Sequence, residues 1–361
     1  MLIGIDASQA AKEKKTGVEY LASQLILNLK NIDHTNSYLL FTNKSLQKEY
    51  LNKNFKEVLI PFKKLWNKIR LPLALLKYKP EIFLEIGYML PKFAGNKSIC
   101  FVHDLASKHF PKSYSSIEKV LLNQSFKKAK KAKEIIFISD NTKNDYSKYY
   151  LGFKGKKHVI YPGYNSNLYK KIINPRDILD IKSKYILYLG RLEKRKNIVN
   201  LVLAYDKFCK KFGYEYKLVL AGKEGYGCHE IKSIINSLEQ KTKSNIVLPG
   251  YVSENDLPHL YADASLFVFP SLYEGFGIPI VESMACGTPT ICSQTSSLPE
   301  AGSNAVEYFD PDKPEEISSA MEKVLFDKKL QNQLIEKGFT QAKKFSYNKM
   351  AKEVLDVIKG I

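Results

Sequence analysis

The sequence predicts an α/β chain of two doubly wound domains, on three observations. Short apolar runs alternate with amphipathic stretches throughout. Those runs are continuous rather than alternating apolar and polar, which is the pattern of parallel strands covered on both faces. And 361 residues exceed what one ordinary core organises.

Taken in order, MLIGIDA, SYLLFTN, EIFLEI, SICFVHD, EIIFIS and HVIYPG read as strands rich in Ile, Val, Phe and Tyr. GVEYLASQLILNLKN, between the first two, carries apolar residues at helical spacing. The second half repeats the style with YILYLG, YKLVLAG, NIVLPG, LFVFP, TPTICS and AVEYFD. The polar, turn-rich stretch at 163–180 reads as the joint, giving domains at 1–170 and 171–344. The last stretch, YNKMAKEVLDVIKGI, is an amphipathic helix.

Composition narrows the class. Hydrophobic residues at 44% and charged ones at 26% fit a globular rather than a disordered chain. No apolar run approaches the ~18 residues a spanning helix needs. The first residues read as a strand rather than a basic leader, so a cytoplasmic protein is expected. Five cysteines without CxxC spacing read as reduced, buried thiols, with no support for a zinc site. The net charge of +19 is uneven: residues 1–170 hold 30 Lys/Arg against 13 Asp/Glu, and residues 171–361 hold 26 against 24. A general lysine bias would load both halves, so the first half is expected to meet an anionic partner.

In open parallel sheets, ligands sit beyond the carboxyl ends of strands. After YILYLG comes GRLEKRKNI, which puts Arg191, Lys194, Arg195 and Lys196 in one turn, before a helix that Asn197 is placed to cap. A forked guanidinium beside a lysine suits the oxygens of a diphosphate, although a solvated basic loop has the same composition. After LFVFP comes EGFGIPIVE. Gly275 and Gly277 permit close backbone approach, and Pro279 suits the first turn of a helix. The N–H groups around Phe276–Ile280 then form an anion site at a helix N-terminus. Glu274 and Glu282 would repel a phosphate they faced, so they are expected to aim past it at neutral hydroxyls, as in a nucleotide sugar. For Glu282, a partner of the helix dipole in the first turn is an equally open reading.

The stretch FVFPSLYEGFGIPIVESMACGTPTICSQTSSLPEAGSNAVEYFDPDKPEEI resembles the retaining glycosyltransferases of the GT-B class commonly called family 4, including bacterial mannosyltransferases. TGVEYLASQL, VHDL, ISDNTKND, GRLEKRKN and GYVSENDLPHLYADASLFVFP are similar to further segments of that family, in order along almost the whole chain. The resemblance implies a GT-B fold, with two Rossmann-like domains facing across a cleft: an N-terminal acceptor domain and a C-terminal nucleotide-sugar domain, with a helix at about 345–361 crossing back to the first. It implies that Arg191 and Lys196 hold the donor diphosphate and that Gly17 approaches the same phosphates. Glu274 would bind the transferred sugar, backbone N–H groups of Gly275, Phe276, Gly277 and Ile278 would meet sugar and phosphate, and Glu282 would bind the ribose. Tyr251 and Val252, within 249–254, would border the base. His103 would lie near the transferred sugar and the acceptor, with Asp104 structural.

The implied activity is metal-independent, retaining transfer of a hexose, mannose first, from GDP-mannose or a UDP-sugar to a glycan or lipid-linked acceptor in surface polysaccharide or glycolipid synthesis. No cofactor beyond that co-substrate is implied. Asp310 and Asp312 imitate a metal-binding Asp-x-Asp, but they stand in a polar loop before a late helix. FLEIGYMLP departs from the family pattern on the acceptor side. A sugar-nucleotide epimerase on the same fold is the nearer rival. A nucleic-acid-binding protein is the remoter one, since no finger, RNP-like or helix-turn-helix signature is present. The basic, Leu-rich FKKLWNKIRLPLALLKYKPEI and SFKKAKKAKE suit an anionic membrane surface, and so a peripheral place on the inner face of the cell membrane, although Pro72 interrupts the first of them.

Overall fold

The computed structural model describes every residue except Lys14, Thr16, Phe62, Lys63, Tyr88 and Lys182. Parts of three segments singled out above therefore lie outside the described residues: Thr16 of TGVEYLASQL, Phe62 and Lys63 of the basic segment, and Tyr88 of the acceptor-side segment. The chain forms two compact units, one of Met1–Gly163 with Ser346–Ile361 and the other of Tyr164–Phe345.

Among the described residues the first unit is built on seven parallel strands: β1 Leu2–Asp6, β2 Ser37–Thr42, β3 Phe55–Leu59, β4 Ile82–Glu85, β5 Ser98–Val102, β6 Glu134–Phe137 and β7 Lys156–Val159. Their order is β3-β2-β1-β4-β5-β6-β7, so the winding reverses between β1 and β4. Ile3 and Ile5 on β1 are wholly buried, as the continuous apolar pattern requires. The edge strand β3 was not anticipated. FKEVL buries only Phe55 and Val58 and exposes Lys56 and Leu59, so its composition carries no buried-strand signature. β7 begins two residues before the apolar run that predicted it.

Helix Tyr347–Lys359 belongs to this unit and packs along helix Gly17–Ile32. It buries Tyr347, Met350, Ala351, Val354 and Ile358 at helical spacing, and Ser346 caps it by accepting from the Lys349 N–H at 3.1 Å. The rings of Tyr20 and Tyr347 meet edge to face at 5.9 Å.

Among its described residues the second unit has six parallel strands: β8 Lys184–Leu189, β9 Tyr216–Ala221, β10 Ile246–Gly250, β11 Leu266–Phe269, β12 Thr290–Ser293 and β13 Glu307–Phe309. The order β10-β9-β8-β11-β12-β13 reverses between β8 and β11. The loops leaving β8 and β11 therefore flank the switch point, where a doubly wound sheet leaves a crevice beyond its strand ends. All five cysteines are buried and free. No described helix is long and apolar enough to cross a membrane.

Candidate active site

The loop after β8 closes into a short 3-10 turn over Lys194–Lys196, and helix Ile198–Phe212 follows. Asn197 does not cap that helix with its side chain. It takes a left-handed conformation, and its amide donates instead to the Pro311 carbonyl at 2.7 Å. The loop after β9 lies against this turn. Gly222 has φ +141, and a Cβ there would stand 1.9 Å from the Gly190 carbonyl oxygen, so only glycine fits.

The loop after β11 brings Glu274 to the same turn. One oxygen of its carboxylate pairs with Lys196 Nζ, and the other lies 3.4 Å from the Arg195 guanidinium. Arg195 also donates to the Tyr273 carbonyl at 2.6 Å and to Glu193 at 2.8 Å. Lys196 Nζ lies over the Phe269 ring, 5.5 Å from its centroid. The loop after β12 fixes the backbone of Glu274: Ser296 Oγ accepts from its N–H at 3.0 Å, and Ser297 Oγ donates to its carbonyl at 2.8 Å. Burial alone would raise the Glu274 pKa; the charges of Lys196 and Arg195 override it and hold the group below the usual carboxylate range. An ionised acid is thus fixed between two cations.

Immediately downstream, Gly277 takes φ +111 and opens helix Ile278–Cys286, with Pro279 in its first turn. A Cβ on Gly277 would approach Leu298 Cδ2 to 2.9 Å. The Phe276 side chain is buried against Phe345, ring centres 5.1 Å apart, which leaves its backbone as the part able to meet a ligand. Arg191 is exposed and makes no ion pair among the described residues. Tyr251 is also exposed, with Lys223 Nζ 4.5 Å from its ring centroid, whereas Val252 is buried.

Glu282 is the fifth residue of its helix, so the first-turn dipole reading fails. It accepts from the Tyr261 hydroxyl at 3.2 Å. Burial pushes its pKa up to about 7, against the opposing hydrogen bond from Tyr261. An acid raised in the folded state binds more protons there than when unfolded, so stability falls as pH rises from about 4.5 to about 7. Glu282→Gln should remove that fall. Melting temperatures of the two proteins, measured across this range without ligand, should diverge progressively in favour of the variant; parallel curves would show that Glu282 titrates normally.

His103 and Gly17 belong to the first unit. His103 follows β5, is buried, and bonds through Nε2 to the Ile86 carbonyl at 2.6 Å. A carbonyl only accepts, so Nε2 carries hydrogen. Burial lowers the His103 pKa, which favours the neutral ring, although Asp104 and Glu19 oppose this. Glu19 lies on the helix that Gly17 opens, and Gly17 is exposed with open space around it. Glu85, not anticipated, shapes the turn His103 uses: its Oε1 accepts from the Gly87 N–H at 2.9 Å. Burial and then the nearby Asp6 raise its pKa well above normal.

Two further residues, Ser296 and Ser297, escaped the sequence reading, and a third, Arg195, was singled out without its partner. Arg195 was visible in the basic turn, but nothing marked it as the one whose guanidinium meets Glu274. Ser296 and Ser297 stood in the family-like SSLPE without a role. As for the aspartates, Asp310 accepts from the Asp312 N–H at 3.0 Å and pairs with Lys313 at 3.2 Å, an internal turn arrangement.

Residues 170–341 match the family model described as glycosyl transferases group 1. The O-antigen chain mannosyltransferase RfbU of Salmonella typhimurium is 30% identical over 271 residues, covering 69% of this chain and 72% of that protein. The chain belongs to the group 1 glycosyl transferases. The O-antigen chain mannosyltransferase B of Escherichia coli is 38% identical to this transferase over 176 residues, covering 48% of this chain and 45% of that one. The chain thus spans less than half the length of the first curated relatives it matches. The solved structure of Anabaena Alr3699/HepE in complex with UDP and glucose is similar in fold, with TM-score 0.70, 17% identity, and 100% and 99% of the two chains covered. The GT-B fold and family 4 membership expected from the motifs both stand.

Proposed function

We propose that this group 1 transferase is a metal-independent, retaining hexosyltransferase. It moves mannose from GDP-mannose, or failing that a sugar from a UDP-sugar, to a glycan or lipid-linked acceptor of cell-surface polysaccharide, at the inner face of the membrane. The observation that carries the reading is the ionised Glu274 held between Lys196 and Arg195 beside a glycine-opened helix N-terminus. Mannose is favoured because RfbU and mannosyltransferase B are named as mannosyltransferases.

In this reading Lys196 offers one hydrogen to Glu274 and keeps others for a phosphate oxygen. Arg191 and the N–H groups of Gly275–Ile278 meet the remaining diphosphate oxygens. The remaining lone pairs of Glu274 accept from sugar hydroxyls, and Glu282 accepts from the ribose. As the bond between sugar and diphosphate breaks, negative charge grows on the leaving oxygen, and these cations and dipoles stabilise it. The acceptor hydroxyl attacks the same face and its proton passes to the departing phosphate, so no charge is stranded and no enzyme-bound sugar forms. His103, neutral and oriented by Ile86, lines the acceptor side.

Melting temperatures with GDP, GDP-mannose, UDP and UDP-glucose test the donor assignment, because a ligand that binds only the folded state raises stability by mass action. GDP and GDP-mannose should raise the melting temperature dose-dependently, equally with and without chelator. A protein unmoved by every nucleoside diphosphate would overturn the site assignment. Epimerised donor in the absence of acceptor would instead favour the epimerase.

A further inference from the structure

Three segments of the first unit pack through one apolar cluster on the same side of its sheet. They are the π-helical turn Trp66–Arg70 with helix Leu71–Tyr78, the loop after β4, and helix Ser116–Ala129. Trp66, Leu71 and Leu75 come from the first, Leu90 and Ala94 from the second, and Phe126 and Ala129 from the third. Pro72 does not break the first segment; it sits in the opening turn of its helix.

What these segments turn outward is unusual. Ile69, Leu73 and Leu76 stand at i, i+4 and i+7 and are all exposed, Leu73 by 57%. On helix Ser116–Ala129 the exposed row is Ile117, Val120 and Leu121, with Ile117 at 73%. Phe93, on the loop, is 58% exposed. Single exposed apolar side chains need no explanation, but two helix rows with an aromatic on a third segment do.

The lysines lie among them. Lys128 falls at i+11 from Ile117, on the same stripe, and its Nζ reaches Met89 Sδ at 3.4 Å across to the loop. Burial first, and then repulsion from Lys68, Lys92 and Lys131, lowers the Lys128 pKa, which places all four charges in one neighbourhood drawn from all three segments. None of the four makes an ion pair among the described residues. Repulsion left uncompensated in the folded chain points to an anionic counter-surface. Apolar side chains projecting beside the charges point to one that also has a hydrocarbon layer to receive them.

We propose that this face docks on an anionic phospholipid bilayer, with Ile69, Leu73, Phe93 and Ile117 entering the headgroup boundary and Lys68, Lys92, Lys128 and Lys131 lying on the lipid phosphates. A nucleic acid would satisfy the lysines but leave the apolar rows in water. The inference extends the lipid-linked-acceptor reading above, and its test needs neither donor nor acceptor, so failure of docking and failure of transfer are read separately.

The test is co-sedimentation of the whole protein with vesicles of phosphatidylglycerol and phosphatidylethanolamine, compared with phosphatidylcholine alone. Partitioning should favour the anionic vesicles and weaken with salt. Lys68→Glu with Lys128→Glu should weaken it about tenfold or more. Leu73→Ser with Ile117→Ser, which touches only exposed positions, should also weaken it at unchanged melting temperature. Three results would each overturn the proposal: no binding to the anionic vesicles, binding indifferent to the apolar pair, or binding abolished by competing RNA but untouched by that pair.

Discussion

Glu274→Ala should lower sugar transfer by about two to three orders of magnitude, comparable to removing one group aimed at a developing transition-state charge. In the proposed site the substitution withdraws the acceptor for sugar hydroxyls and also removes the carboxylate that Lys196 pairs with. The fold should survive. Arg195 keeps Glu193 and the Tyr273 carbonyl, and Lys196 keeps the face of Phe269. The carboxylate and Lys196 are each 13% exposed, so leaving one without the other costs something, about 1–3 kcal/mol. Steady-state transfer and a melting curve on the same preparation separate the two effects. Turnover at the wild-type rate in a folded variant would remove Glu274 from the chemistry.

Lys196→Ala should be nearly as damaging to turnover, with an added signature in the pH profile. Lys196 contributes most among the charges that hold Glu274 ionised, ahead of Arg195. Without it the Glu274 pKa rises. If transfer needs the ionised form, the acidic limb of the rate profile must move to higher pH in the variant, while the wild-type limb stays lower. Arg191→Ala should act differently. Arg191 is exposed and does not touch Glu274, so its loss should weaken donor binding and leave the acidic limb in place. A Lys196 variant whose limb did not move would show that Arg195 alone suffices to set the charge on Glu274.

Particular residues show where the sequence sufficed. Twelve of the thirteen strands found among the described residues announced themselves, the inner ones because a parallel strand buried on both faces must be apolar along its length, and the edge strand β7 through the run HVIYPG that starts at its third residue. β3 did not, because an edge strand half in water needs no such run. The strand-end loops were legible for a related reason: glycines, a helix-starting proline and clustered cations are costly or unusual outside a site. Direction was not legible. Nothing in EKRKN tells which of two adjacent cations turns inward, and the structure sends Arg195 as well as Lys196 to Glu274. Asn197 looked like a cap because local sequence favours one, yet a carbonyl 114 residues away claimed its amide. Such long-range partners are decided by the finished sheet.

The return of helix Tyr347–Lys359 to the first unit has a consequence for biogenesis. Residues 164–345 form a contiguous unit, so a ribosome delivers everything that unit needs before the first unit is complete. The earlier-translated half must wait with the flank of helix Gly17–Ile32 uncovered until the closing segment emerges. Its apolar surface is thus exposed longest in the nascent chain, and a released polypeptide ending near residue 345 should hold a finished second unit beside an unfinished first.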